Sequence, residues 1–443
     1  MKRFLILPLM LALVVAPTLQ VRGADTKDYP PGWMPIQWFE PDATWDDDDP
    51  VLRNEKVHIY MPDKSKPVDG VFVCLVFTSP DPREFAEAWN FALVTIPVPH
   101  TYDIGDIDRR NKRRELGHEP QGMALLLRYL DDVGKASGHP ELSTVPIVGW
   151  LGQAGPRYCS DLLKVAPERV IAWADGFPSI IRKHPEMTRQ VPFAYAWEVN
   201  QKGKVKETGN RVPHRNNPPV FDDLSSAATT YSFKHGIYSK YFFFMSFLDR
   251  CIKLRMPDKT PPPGKPVKLK PVRREDGWVG DFMPIGEWNP IAPAGSEEAK
   301  SFAHPAWFPD AYAAHMWRAY HTGTIDPKKP YLDALSIQMV EPFVPYSRTV
   351  RGPRAGAGYG APLSPKEAVT FAVDVTVDCK RVEYYDGDQK LGEVSKAPWK
   401  LEGVRLQTGL RAIYAVVHRP DGSQAASRCC FAIVKQSTVQ PGE

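Results

Sequence analysis

Several things are scarce in this 443-residue chain, and each scarcity closes a door. A large excess of one charge is missing: 56 Lys and Arg stand against 52 Asp and Glu, a formal net charge of +4. With no basic stripe set apart from that mix, nucleic acid has no electrostatic footprint to bind. Long hydrophobic runs are missing beyond the first residues, so no later segment reaches the roughly 20 apolar residues that a membrane-spanning helix needs. Only six cysteines occur, none in a Cys-x-x-Cys pair or a His/Cys cluster, so neither a metal nor another cofactor is expected. A glycine-rich stretch, Arg351-Gly-Pro-Arg-Ala-Gly-Ala-Gly-Tyr-Gly-Ala-Pro-Leu363, lacks the leading strand and the following Lys-Ser/Thr of a phosphate loop.

What is plentiful points to an exported protein of more than one domain. Lys2-Arg3 precede an uncharged apolar run from Phe4 to Val15, and Val21-Arg-Gly-Ala24 offers a small-residue cleavage site. Residues 1–24 therefore read as a signal peptide cut near Gly23 or Ala24, and the mature chain as secreted or periplasmic. Export permits disulfides, and Cys379 is placed to bridge Cys429 or Cys430. The 45 prolines, about twice the usual share, indicate many rigid connections. Tryptophans near the N-terminus (Trp33, Trp38, Trp45) fit either a sugar-stacking surface or a covered sheet edge.

From residue 71 to about 255, apolar runs alternate with helical patterns. Val71–Phe77 and Ala92–Val98 are near-continuous apolar stretches, as in strands buried on both faces. Met123, Leu126, Leu127, Leu130 and Val133 recur at helical spacing. Strands are expected at Val145–Trp150, Val170–Ala174, Phe193–Trp197 and Thr229–Phe233, followed by a helix from about Ser239 to Arg255. This order implies a mostly parallel sheet with helices on both faces. The Pro-rich stretch 257–274 reads as an extended crossing, and Pro309 to Tyr320 as a last helix of the same domain. That domain spans 25–350 and a Gly/Pro-rich linker spans 351–365. From Ala368 the period becomes two: Val369, Phe371, Val373, Val375 and Val377 share one face. With turn signals at Tyr385–Asp388 and Arg419–Ser423, residues 366–436 form a small all-β sandwich.

One stretch carries the chemistry. Val145-Pro-Ile-Val-Gly-Trp-Leu-Gly-Gln-Ala-Gly155 is laid out as a nucleophile elbow, a short strand meeting a tight turn and then a helix. Its apex holds Gln153 where a serine is needed, and Gly-x-Ser-x-Gly occurs nowhere else. A glutamine amide has no lone pair of comparable nucleophilicity and no proton whose removal supplies one. Cys159 and Ser160 are the nearest alternatives, but they lie past the apex, in the helix. The run Asp46-Asp-Asp-Asp49 reads as a solvated loop, since successive aspartates diverge, although carboxylates are also calcium ligands.

Leu151-Gly-Gln-Ala-Gly155, Pro167-Glu-Arg-Val170 and Thr230-Tyr-Ser-Phe-Lys-His-Gly236 carry a resemblance. Residues 68 to about 255 resemble the α/β-hydrolase fold, in particular secreted bacterial esterase-like members. Residues 366–436, through Arg381–Gly392 and Ala397-Pro-Trp399, are similar to bacterial Ig-like modules appended to secreted enzymes. The first resemblance implies vestigial catalytic slots: Gln153 for the nucleophile, His235 for the base and Glu198, just past a strand ending near Trp197, for the acid. The family's His-Gly-Gly oxyanion segment is here Phe77-Thr-Ser-Pro80, and Pro80 has no N–H to offer. The expectation is a catalytically degenerate hydrolase with a binding or assembly role, toward a small-molecule or a cell-surface or polysaccharide ligand. The alternatives are an active ester hydrolase with an atypical site and a carbohydrate- or surface-binding protein.

Overall fold

A computed structural model describes residues 33–37, 56–74, 82–95, 121–151, 162–163, 165–175, 189–199, 224–231, 236–259, 261–283, 288–321, 337–342, 363–427 and 429–434. The first eight strands are β1 (Trp33–Gln37), β2 (Lys56–Tyr60), β3 (Gly70–Cys74), β4 (Phe91–Thr95), β5 (Ile147–Leu151), β6 (Val170–Asp175), β7 (Phe193–Val199) and β8 (Ser225–Tyr231). They form one sheet in the order β1-β2-β4-β3-β5-β6-β7-β8. β1 and β2 are antiparallel; β4, β3 and β5 to β8 are parallel.

The apolar runs explain this sheet. Every residue of Gly70–Cys74 is buried, as are Phe91 to Val94 and Ile147 to Trp150, because parallel strands are covered on both faces. The chain leaves β3 through α1 (Pro82–Trp89) to β4, then returns through α2 (Gln121–Ser137) past β3 to β5. These crossovers run in opposite directions along the sheet. By the right-handed rule for parallel crossovers, this places α1 and α2 on opposite faces. α3 (Gly236–Arg255) shares the α1 face, where the Trp89 indole N–H donates to Asp249 at 3.1 Å. Phe244, Phe247, Leu248, Cys251 and Ile252 are all fully buried, as the pattern required.

Beyond α3 the Pro-rich stretch forms neither helix nor strand. It leads to a small antiparallel sheet of β9 (Trp278–Asp281), β10 (Ile291–Pro293) and β11 (Pro305–Phe308), ordered β10-β9-β11. A short helix, α4 (Glu297–Lys300), sits between the last two, and α5 (Ala311–His321) follows. Asp310 caps α5 by accepting the Ala313 N–H at 2.9 Å. This small sheet was not legible in the sequence.

The C-terminal region is antiparallel: β12 (Ile337–Glu341), β13 (Val369–Val375), β14 (Arg381–Asp386), β15 (Gln389–Val394), β16 (Lys400–Val404), β17 (Gly409–His418), β18 (Gln424–Ala426) and β19 (Cys430–Val434). One sheet runs β12-β13-β16; the other runs β15-β14-β17-β18, with β19 also paired to β17. β12 precedes the glycine-rich segment yet pairs with β13, so the sandwich draws a strand from upstream of the stretch read as linker. At the other end of that stretch, Leu363 donates to the Ile433 carbonyl at 2.9 Å. Cys379, Cys429 and Cys430 are free thiols, which corrects the expected bridge. Alternation along the chain sends Cys430 into the sandwich core and Cys429 to the opposite face.

Candidate functional site

In an open α/β sheet, ligands bind at the carboxyl ends of the strands, where neighbouring connections leave in opposite directions. Here that point lies between β3, whose connection runs to β4, and β5, whose successors run toward β8. β5 is fixed there from both faces. A side chain at Gly149 would meet the Trp173 ring of β6 at 2.3 Å, so glycine is what lets the indole lie across the strand. On the other face Trp150 packs against Phe244 of α3, with ring centroids 6.2 Å apart. β5 is therefore packed closely on both faces up to its carboxyl end.

Gln153 follows the last residue of β5, Leu151, and itself lies outside the described residues. So do His235, which falls between β8 and α3, the Thr78-Ser-Pro80 segment after β3, Cys159, Ser160, Asp46–Asp49, Trp38 and Trp45. Glu198 needs a correction. β7 extends to Val199, so Glu198 lies within the strand, paired with Thr230 of β8, and not past its end. β8 starts at Ser225 and ends at Tyr231, earlier than the Thr229–Phe233 expected, because Phe193 to Val199 pair with Ser225 to Tyr231 along their full length. β5, β7 and β8 are mutually parallel through β6, so all three strands aim their carboxyl ends at the same edge. Strands are about 4.8 Å apart, which puts β7 roughly 10 Å and β8 roughly 14 Å from β5.

One acid was missed. Asp175 ends β6, in register with Leu151 of β5 and Tyr195 of β7. It is one strand from β5, closer than Glu198. The signal was visible as a buried run, Val170-Ile-Ala-Trp-Ala174, stopped by a carboxylate.

The Pro167-Glu-Arg-Val170 motif has a structural task. Arg169 donates to the Val145 carbonyl at 2.9 and 3.0 Å and to that of Leu142 at 3.0 Å. It thus ties down the amino end of β5, opposite the end that leads to Gln153. Arg255 does the same for β6, reaching the Val170 and Ile171 carbonyls at 2.6 and 2.7 Å. Burial lowers both guanidinium pKa values to about 10. At the same edge, the Glu141 carboxylate accepts the Val68 N–H at 3.1 Å and faces His139 Nδ1 at 2.8 Å. A cleft of about 120 Å³ between Pro67–Asp69, Glu141 and Pro261–Lys265 lies there too. Among the described residues no group of three or more His, Cys, Asp or Glu is arranged to hold a metal ion, and no helix is long and apolar enough to cross a membrane.

Neither a protein-family model nor a curated protein sequence matches the chain. Among solved structures, the fibronectin(III)-like modules of Clostridium thermocellum CbhA match 22% of this chain and 94% of their own, at 17% identity and a TM-score of 0.18. A cold-adapted esterase from an Arctic intertidal metagenomic library matches 45% of this chain and 88% of its own, at 10% identity and a TM-score of 0.31. An uncharacterised protein from Capnocytophaga ochracea matches 46% of this chain and 61% of its own, at 11% identity and a TM-score of 0.32. Likeness at these levels carries no argument about activity.

Proposed function

We propose that this chain is a pseudo-hydrolase: an exported α/β-hydrolase-like scaffold joined to an Ig-like sandwich and used for binding or assembly rather than acyl transfer. One observation carries the reading. β5 sits at the switch point of the sheet, and the sequence that follows its last residue is Gly152-Gln153-Ala154-Gly155, at the place in the chain where an attacking side chain belongs. Gln153 offers no nucleophilic atom. The segment after β3 supports the same reading, because Pro80 lacks the backbone N–H that a developing oxyanion requires.

The test is direct. Purified protein should neither hydrolyse simple acyl esters above background nor react with serine-directed fluorophosphonates. Gln153→Ser alone should recover little, since a missing oxyanion donor costs roughly a hundred- to a thousandfold in rate. Robust esterase activity, abolished by His235→Ala but untouched by Gln153→Ala, would overturn the reading. Export is tested separately by intact-mass measurement of the secreted chain, which should begin at Ala24 or Asp25.

A further inference from the structure

The outer face of the larger sandwich sheet is buried in the α/β region's core. Ala412, Tyr414, Val416, Ala426, Cys429 and Phe431 belong to the same apolar cluster as β3 to β7 and α3. Two helices, α3 and α5, each contact both β8 and β17, and α5 carries most of the ring and polar contacts to the sandwich. Tyr320 stacks on Phe243 of α3 at 5.2 Å and meets Phe431 of β19 at 6.0 Å. Arg318 lies over the Trp288 ring at 4.0 Å, and Trp288 in turn meets Tyr414 of β17 at 6.3 Å. On its other side α5 packs against β8, the last strand of the eight-stranded sheet.

The polar contact between α5 and the sandwich has a fixed direction. The Ala412 N–H can only donate, and it donates to the Tyr312 hydroxyl oxygen at 2.8 Å. The hydroxyl proton is therefore free to go to Asp386 Oδ1, at 2.6 Å. The Arg411 guanidinium stands 3.5 Å from the other carboxylate oxygen. Tyr312 and Asp386 are both buried, so loss of either leaves a desolvated polar group without its partner. From the α/β side, Arg250 of α3 pairs with Asp310 at 2.5 Å and covers the Tyr312 ring at 4.7 Å. An eleven-residue helix such as α5 is too short to persist on propensity alone, so its neighbours hold it.

We propose that the β-sandwich is an internal brace for β8. It holds α5 through Tyr312 and Asp386, and α5 holds the strand that leads to His235. The inference concerns local stability and does not depend on whether the site at Gln153 is active.

Hydrogen exchange on the full chain tests it. Tyr312→Phe should speed exchange in α5 and β8 about tenfold or more, because a buried donor is lost, and leave β3 and β5 unchanged. Asp386→Asn is the milder companion should Tyr312→Phe fail to fold. Lys400→Ala breaks the Lys400–Glu341 pair on the smaller sandwich sheet and should leave α5 and β8 as they were. Faster exchange confined to β14 and β17, with β8 unmoved, would overturn the proposal. A uniform rise across all strands would overturn it too, since the contact would then serve global stability alone.

Discussion

The two sheets of the sandwich are built from the same kind of strand and meet different surroundings. In the smaller sheet, the burial of β13 is broken: Val369 and Phe371 to Val373 are buried, whereas Thr370 and Val375 are half-buried and Asp374 is exposed. In the larger sheet, β17 is buried from Ala412 through Val417 without interruption, and all five residues of β19 are buried. One face of each packs in the sandwich core with Val382, Tyr384 and Ile413. The other packs against α5 and its neighbours. A continuous apolar run in an antiparallel strand thus marks a second surface waiting to cover it. The outer face of the larger sheet is consequently part of the molecule's main core, while the sandwich interior is a core of its own.

Substitutions on the doubly covered sheet should hurt most. Phe431→Ala should cost about 3–5 kcal/mol, the usual range for truncating a fully buried Phe, and Asp374→Ala on the exposed face of β13 less than about 0.5 kcal/mol. Urea denaturation of both variants measures the contrast; equal costs would erase it. Gly387→Ala comes next. Gly387 has φ +56°, and a Cβ there would lie 2.2 Å from the Tyr312 ring. Overpacking costs about 1–3 kcal/mol and left-handed backbone roughly 1–2 more, so the melting temperature should fall by several degrees.

Smaller effects follow from pH. Burial, with Arg318 nearby, lowers the His315 pKa to about 4. The unfolded chain takes up that proton near the ordinary value of 6.5, so stability should fall as pH drops from 6.5 toward 4. His315→Gln should flatten that limb. Glu383 acts lower: burial opposes its ionisation, but hydrogen bonds from Lys390, His418 and Tyr385 outweigh it and set the pKa at about 2. Its contribution is present above about 4.5 and lost between 4.5 and 2, and Glu383→Gln should remove that slope in thermal melts. The smallest effect is expected from reductant. With Cys379, Cys429 and Cys430 free, dithiothreitol should leave the melting temperature unchanged.

The parallel strands were legible because Val71–Cys74 and Val170–Ala174 are unbroken apolar runs, and α3 because its aromatic residues recur with helical spacing. β17 shows no clean period of two, because Ile413, Ala415 and Val417 are as apolar as Ala412, Tyr414 and Val416. The small sheet β9 to β11 escaped because strands of three or four residues leave too little pattern. At the candidate site, the elbow pattern around Gln153 rests on the sequence alone, since Gln153 lies outside the described residues. Asp175 could not be ranked above Glu198 without strand order, which alone shows that β6 adjoins β5.

The central claim is that the sandwich is joined to the α/β region through the buried outer face of its larger sheet. Scanning calorimetry of the intact chain tests it most directly. The account predicts a single transition whose calorimetric and van't Hoff enthalpies agree, and a fragment of residues 363–434, deprived of β12 and α5, that shows no cooperative melt. Two separate transitions in the intact chain, one of them reproduced by the isolated fragment, would contradict it.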